Sequence, residues 1–528
     1  LHWLAGVVAG AAITMAAAPP APVLDHDTAV HVANRLTFGA TAAVVARLRA
    51  EGLDDWIVAQ VHPDRLPDPR LQSRLASFST LAMTPRALAE TYYVPALERR
   101  RAAQARMQSD APGSEPDAAD RMPEPEMGQP APGQPPGRTR SGAGPGGPER
   151  QVLLELMTQK LLRASTAERQ VEEVLVDFWF NHFNVFAGKG PVRQYVHDFE
   201  RNAIRPHVFG SFRTMLGAVA GSPAMLFYLD NWQSSAPGTQ TMRGPMGLNE
   251  NYARELLELH TLGVAGGYTQ QDIVEVARAF TGWTIRGPRM GGDAFFDRRR
   301  HDRDAKTVLG RAIPAGGGRD DGERVLDIVA RHPATARHLA RKLAVRFVSD
   351  TPPEALVARV AARFTQTNGD LRATFEALVR SPEFTAREAR LTKVKTPLEF
   401  VTSAVRVLDV DVRMAGALGQ QLRTLGMPPY FAQPPTGYSD RADAWTNGGA
   451  LVQRMNIAVA LTHGRMRGVS PPALPASDSD DPEARARALA RALLLRDPSA
   501  ATLQTVAQAA TAPEMAALIL GSPEFQRR

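Results

Sequence analysis

The chain of 528 residues contains no cysteine. That excludes disulfides, thiol nucleophiles and thiolate metal sites, and leaves His, Asp, Glu and Asn as the side chains able to hold a metal. Lysine is nearly absent too. Of 62 basic residues only six are lysines, so 56 are arginines. An excess of this kind suits carboxylate or phosphate binding, and it also follows from a compositional drift spread over the surface. Aromatic residues make up 6% of the chain, and no arginine block is interleaved with them, which argues against a nucleic-acid partner. No glycine-rich phosphate loop, no Gly-x-Ser-x-Gly elbow and no dinucleotide fingerprint occurs. Beyond the N-terminal segment no apolar run is long enough to span a bilayer.

What remains is a soluble globular composition, 44% apolar and 22% charged with a net charge of +7. Leu4 to Ala17 is apolar and runs into small residues and proline. It has the pattern of a secretory signal, so residues 1–21 are expected to be a signal peptide and the protein to be exported to the periplasm or cell surface. From Gln108 to Pro148 proline and glycine dominate and large aliphatics disappear, as in an insertion too polar to bury a core. Helical spacing flanks it: His31 to Leu48, Ala87 to Arg106 and Gln151 to Ala187 carry apolar residues three and four apart. The expected architecture is predominantly α, one large multi-helical domain over residues 22–528 interrupted by the 108–148 insertion. At most a short β-hairpin is expected, between Ala294 and Gly310. Apolar runs ending in Ser-Pro recur near residues 222, 381 and 522 and read as helix punctuation.

Three polar segments carry the candidate chemistry. At about 100° per residue, a helix from Glu250 places Glu250, Asn251, Arg254, Glu255, Glu258 and Thr261 on one side. Tyr252, Ala253, Leu256, Leu257, Leu259 and His260 fall on the other. Glu250–Arg254 and Arg254–Glu258 are spaced as surface ion pairs. The bland reading is a solvated, salt-bridged face; the sharper one is a carboxylate-lined cleft wall in which Glu255 and Glu258 do acid–base or metal chemistry. Glu258 and His260 point nearly opposite ways and cannot chelate one ion. In the second segment, DFWFNHFN, Asp177, Asn181 and Asn184 align with Glu173, while His182 lies with Phe178 and Trp179 on a buried face. Two inward histidines, His182 and His260, can meet in a metal or proton-transfer core or stand as independent buried residues. The third segment holds His301, Asp302, Asp304 and Lys306. Its simplest reading is a solvated charged loop, since adjacent residues of an extended segment point apart and form no dyad.

These segments lie within longer blocks. FWFNHFNV at 178–185, NENYARELLELHTLGV at 249–264, GYTQQDIVEVARAFTGWT at 267–284, HDRDAKTVLG at 301–310, HPATARHLARKLAVRFV at 332–348 and KTPLEFVTSAVRVL at 395–408 occur in that order. With Arg35, Phe38 and Gly39 near the start, they resemble the bacterial domain-of-unknown-function family numbered eighteen hundred. The resemblance implies an exported, mostly helical protein without an established activity. It also implies a functional partner, an exported protein resembling alkaline phosphatases and sulfatases. The late block departs from the family's proline-aromatic-glycine-tryptophan run, with Tyr438 at a variable aromatic position.

Two functions follow as expectations. One is an envelope enzyme, hydrolase-like, with Glu250, Arg254, Glu255 and Glu258 facing His182 and the His301–Lys306 segment. A carboxylate would act as base and Arg254 as anion clamp. A metal held by His, Asp or Glu belongs to this reading, with the cofactor otherwise unknown. The other is a non-catalytic envelope protein that binds or supports a partner, its polar blocks serving as buried networks. Convergence of His182, Glu255, Glu258 and His301 in one pocket separates the two.

Overall fold

Many helix starts in this chain are written by side-chain caps. Asp25 and Thr41 accept first-turn amides of the helices His26–Leu36 and Ala42–Glu51. Thr269 with Asp272, and Thr396 with Glu399, form reciprocal capping boxes for Gln270–Phe280 and Pro397–Val407. Three Ser-Pro pairs supply the same signal: Ser222, Ser381 and Ser522 cap the helix that begins at the following proline. The repeated Ser-Pro is therefore punctuation, as its sequence setting indicates.

The computed structural model describes residues 24–109, 147–241, 244–245, 247–475 and 479–528. The expected signal segment, and all of the expected insertion but its ends, lie outside the described residues. Helix Val94–Ser109 precedes residues 110–146 and helix Glu149–Thr166 comes after them. The protein is predominantly α-helical. Among the described residues, strands are confined to three antiparallel ladders of two or three residues each. The stretch expected to hold one hairpin instead gives a strand to each of two ladders. Ala294–Phe296 pairs back onto Trp283–Ile285, and Lys306–Val308 pairs forward with Arg311–Ile313. Among the described residues no helix is long and apolar enough to cross a membrane.

One contiguous apolar core reaches from Ala29 to Phe525. Helix Gln170–His182 runs through it and is buried on nearly every side. The helix that begins at Asn251 changes pitch: Asn251–Glu255 is α, and Leu256–Thr261 is a π-helical turn. The wider turn rotates its own last residues relative to a regular α-helix, which corrects the sequence-based face assignment. Thr261 is fully buried and donates to the carbonyl of Leu256 at 2.6 Å, whereas Leu259 is only half-buried.

Candidate functional site

Helix Gln170–His182 presents two polar surfaces, and the aligned residues Asp177, Asn181 and Asn184 hold the first. Asn181 exchanges two hydrogen bonds with the backbone of Tyr438, both 2.7 Å. Asn184 donates to the carbonyls of Ala432 and Pro434, each at 2.9 Å, and the Tyr228 hydroxyl donates to that of Gln433 at 2.7 Å. The proline- and aromatic-rich loop is thus strapped to the helix through its backbone. The Tyr438 hydroxyl donates to the Pro428 carbonyl at 2.8 Å and braces the loop across itself.

Beneath the strap lies a chain of buried charges. Lys160 meets Asp177 at 2.7 Å. Arg346 lies 3.7 Å from Asp177, 3.0 Å from Glu399 and 3.2 Å from Asp440. Arg528 meets Glu399 at 3.0 Å, and Glu399 is held down to about 2 by Arg346, Arg528 and the Thr396 amide against the effect of burial. A second branch joins Arg205 to Glu173 and Glu200, with Tyr430 donating to Glu200 at 2.8 Å. The cavity enclosed by Lys160, Asp177, Asn181, Arg346, Tyr438 and Asp440 measures about 30 Å³. That volume holds a water or two and no organic substrate.

The other surface of the helix carries His182, which is 1% exposed. Its Nε2 donates to the carbonyl of His260 at 3.1 Å, and His338 Nε2 donates to that of Leu259 at 3.2 Å. These are among the last carbonyls of the π-helical turn, groups a helix end leaves without intrahelical donors. The histidines cap that end. The His182 ring lies 6.3 Å from that of His260 and 6.2 Å from that of His338. The two inward histidines do meet, although the hydrogen bond goes to backbone. Burial drives all three below the usual imidazole range, His260 to about 3 and His338 to about 4. Lys342 stands beside them, itself lowered by burial. His182 Nδ1 and His260 Nε2 are buried without a partner. Among the described residues no group of three or more His, Cys, Asp or Glu side chains is placed to hold a metal ion.

The glutamates of the opening helix look elsewhere. Glu250, Arg254 and Gln270 form a half-exposed surface cluster, with Glu250 3.6 Å from Arg254 and 2.7 Å from Gln270. Glu258 accepts from the Tyr268 hydroxyl at 3.2 Å. Glu255 is half-buried, and its carboxyl is pushed up to about 7, by burial first and then by Glu258, with Arg254 opposing. Its charge acts on Tyr228, so Glu255 adjoins the outer edge of the strap.

His301 and Lys306 are 5% and 2% exposed, which corrects the expectation of a solvated loop. Both converge on Asp321, which is fully buried in helix Asp320–Ala330. Lys306 Nζ lies 2.8 Å and His301 Nε2 3.2 Å from the same Oδ2. His301 Nδ1 donates to the Thr281 carbonyl at 2.8 Å, and Lys306 also donates to the carbonyls of Asp302 and Asp304. Asp302 reaches mainly to Arg278 at 2.8 Å and also lies 3.7 Å from Lys306 Nζ. Among the described residues no hydrogen bond, ion pair or ring contact joins this knot to Glu255, Glu258 or His182. The His301–Lys306 segment thus forms a cluster of its own, while the other two segments meet through His182 and His260.

Lys160, His338, Lys342, Arg346 and Glu399 escape a reading of the sequence. One signal could have found two of them. In a chain that uses arginine almost everywhere, the six lysines mark positions where a compact ammonium is needed, and none of the six is exposed.

A family model described as Protein of unknown function (DUF1800) matches residues 31–527. No curated protein and no solved structure matches the chain.

Proposed function

We propose, from the premise that the chain belongs to the DUF1800 family of unknown function, that it is a non-catalytic envelope protein that binds and supports a partner. The observation that carries the reading is the use made of the polar blocks. Asp177, Asn181, Asn184, Glu399 and Asp440 strap a loop and neutralise buried cations around a cavity of about 30 Å³, while His182 and His338 cap a helix. Side chains so engaged brace a rigid surface for a partner. Export rests on the Leu4–Ala17 pattern, and the partner class is the exported phosphatase- or sulfatase-like protein that the family resemblance implies.

A second reading has its own support. Glu255 is half-buried beside Glu258 with its carboxyl near neutrality, as a general acid or base requires. One experiment separates the two. The purified protein and its Glu255→Gln variant are assayed against chromogenic esters, phosphates, sulfates and glycosides. The protein is also mixed with the phosphatase-like partner and studied by sedimentation velocity. The binding reading expects a complex and no turnover sensitive to Glu255. Turnover with an apparent pKa near 7, abolished by Glu255→Gln at unchanged melting temperature, would replace it with the enzyme.

A further inference from the structure

One cavity has no residue of the signature blocks in its lining. It has a volume of about 480 Å³, within the range of small-molecule sites. Its walls come from helix Val94–Ser109, the π-helical turn Ala89–Tyr93, the start of helix Val192–Asp198 and the single turn Pro288–Met290. The position of that turn is fixed: Gln194 and Tyr195 both donate to the Pro288 carbonyl, at 2.5 and 3.0 Å.

The lining is amphipathic. Leu97 and Met290, 40% and 45% exposed, are two of the few large apolar side chains left open on this protein, and both face the cleft. Four arginines line it against two glutamates. Arg100 is spent on Glu149 at 3.2 Å. Arg101 and Arg289 have no ion-pair or hydrogen-bond partner among the described residues, and Arg193 donates only to the Gly190 carbonyl at 3.2 Å. Tyr93 also lines the cleft, and its hydroxyl oxygen is buried at the wall without a partner. Burial pushes the phenol up, so it stays a hydrogen-bond donor, and the charge of Arg193 acts on it in the opposite direction. A buried donor left unmatched beside unpaired guanidinium groups calls for an anionic acceptor. The apolar wall calls for a hydrocarbon body.

We propose that this cleft binds an amphipathic carboxylate, a medium-chain acyl or aryl acid, with its head group among Tyr93, Arg193 and Arg289 and its body against Leu97 and Met290. The site is independent of whether the protein is an enzyme or a partner-binding protein.

The test is calorimetric titration of the full chain with decanoate below its micellar range. Decanol and decyltrimethylammonium serve as controls. Saturable binding of one decanoate is expected, with neither control competing. Tyr93→Phe and Arg289→Ala are each expected to weaken it about tenfold, the loss of one hydrogen bond to a charged group. Glu98→Gln, which removes a repelling charge, is expected to strengthen it. Unchanged melting curves for the variants exclude misfolding as the cause. Decanol binding as tightly as decanoate, or variants that bind decanoate like the parent protein, would overturn the proposal. So would displacement of decanoate by a synthetic peptide of residues 110–127, which would assign the cleft to the chain itself.

Discussion

Gly263 ends the LELHTLG segment with φ of +83°, a conformation L side chains rarely adopt. A Cβ there would sit 2.7 Å from Nδ1 of His338, the ring that caps the preceding π-helical turn. Backbone and packing therefore demand the same residue. Gly263→Ala is expected to destabilise by roughly 1–3 kcal/mol, the range for strain at a special dihedral with a core clash. Urea unfolding would show a lower midpoint at an unchanged slope, and an unchanged midpoint would mean that His338 is not held there. Gly437 obeys the same rule in the strapped loop, with φ of +71° and a Cβ position 2.4 Å from Asn181. Both glycines stand in plain view in the sequence, yet their reasons do not. Each depends on a side chain more than 70 residues away.

The knot around Asp321 ties the Lys306–Val308 and Arg311–Ile313 ladder to helix Asp320–Ala330. A three-residue ladder holds little by itself, so the buried charges fix its place. Lys306→Met leaves the Asp321 carboxylate buried with only His301 and is expected to cost about 3–5 kcal/mol. Lys306→Met combined with Asp321→Leu is expected to recover a large part of that loss, because no lone charge remains. A double-mutant cycle by chemical denaturation measures the coupling, and additive losses would show that the pair is not interdependent. Element type is legible here and element environment is not. Caps, Ser-Pro stops and apolar spacing are local signals, and the helices obey them. HDRDAK reads as a solvated loop because its counter-charge arrives only at Asp321, on a later helix whose burial is decided by tertiary packing. The π-helical turn escapes for a related reason: a fixed angle per residue cannot anticipate a change of pitch, and so it puts Thr261 on the wrong face.

Across the whole molecule, buried histidines set the response to acid. Burial holds His31, His197 and His338 near 4 and His260 near 3, against about 6.5 when unfolded. Between those values the unfolded chain binds more protons, so stability falls as pH drops from about 6.5 to about 4. Each extra proton adds a slope of about 1.4 kcal/mol per pH unit. Glu399, held to about 2, acts in the same direction below its unfolded value, and Glu255, pushed up to about 7, opposes it. Calorimetric melting temperatures should therefore fall steadily from pH 7 to pH 4, with His338→Gln flattening the trend. A flat profile would contradict neutral buried imidazoles. Family and helical class are readable from motif order and periodicity, whereas the site is not. Asp177, Arg346, Glu399 and Asp440 are scattered over more than 260 residues, and only the fold brings them together. The withdrawal of five of the six lysines from the surface, with Lys189 alone partly open at 36% of its side chain, has a further consequence. Among the described residues nearly all exposed cationic side chains are guanidinium groups, which keep their proton at any physiological pH and are not substrates for lysine acylation. Most of the outward positive charge of this protein is thus fixed, with Lys189 and His26 the open side chains through which amine modification or acid could still adjust it.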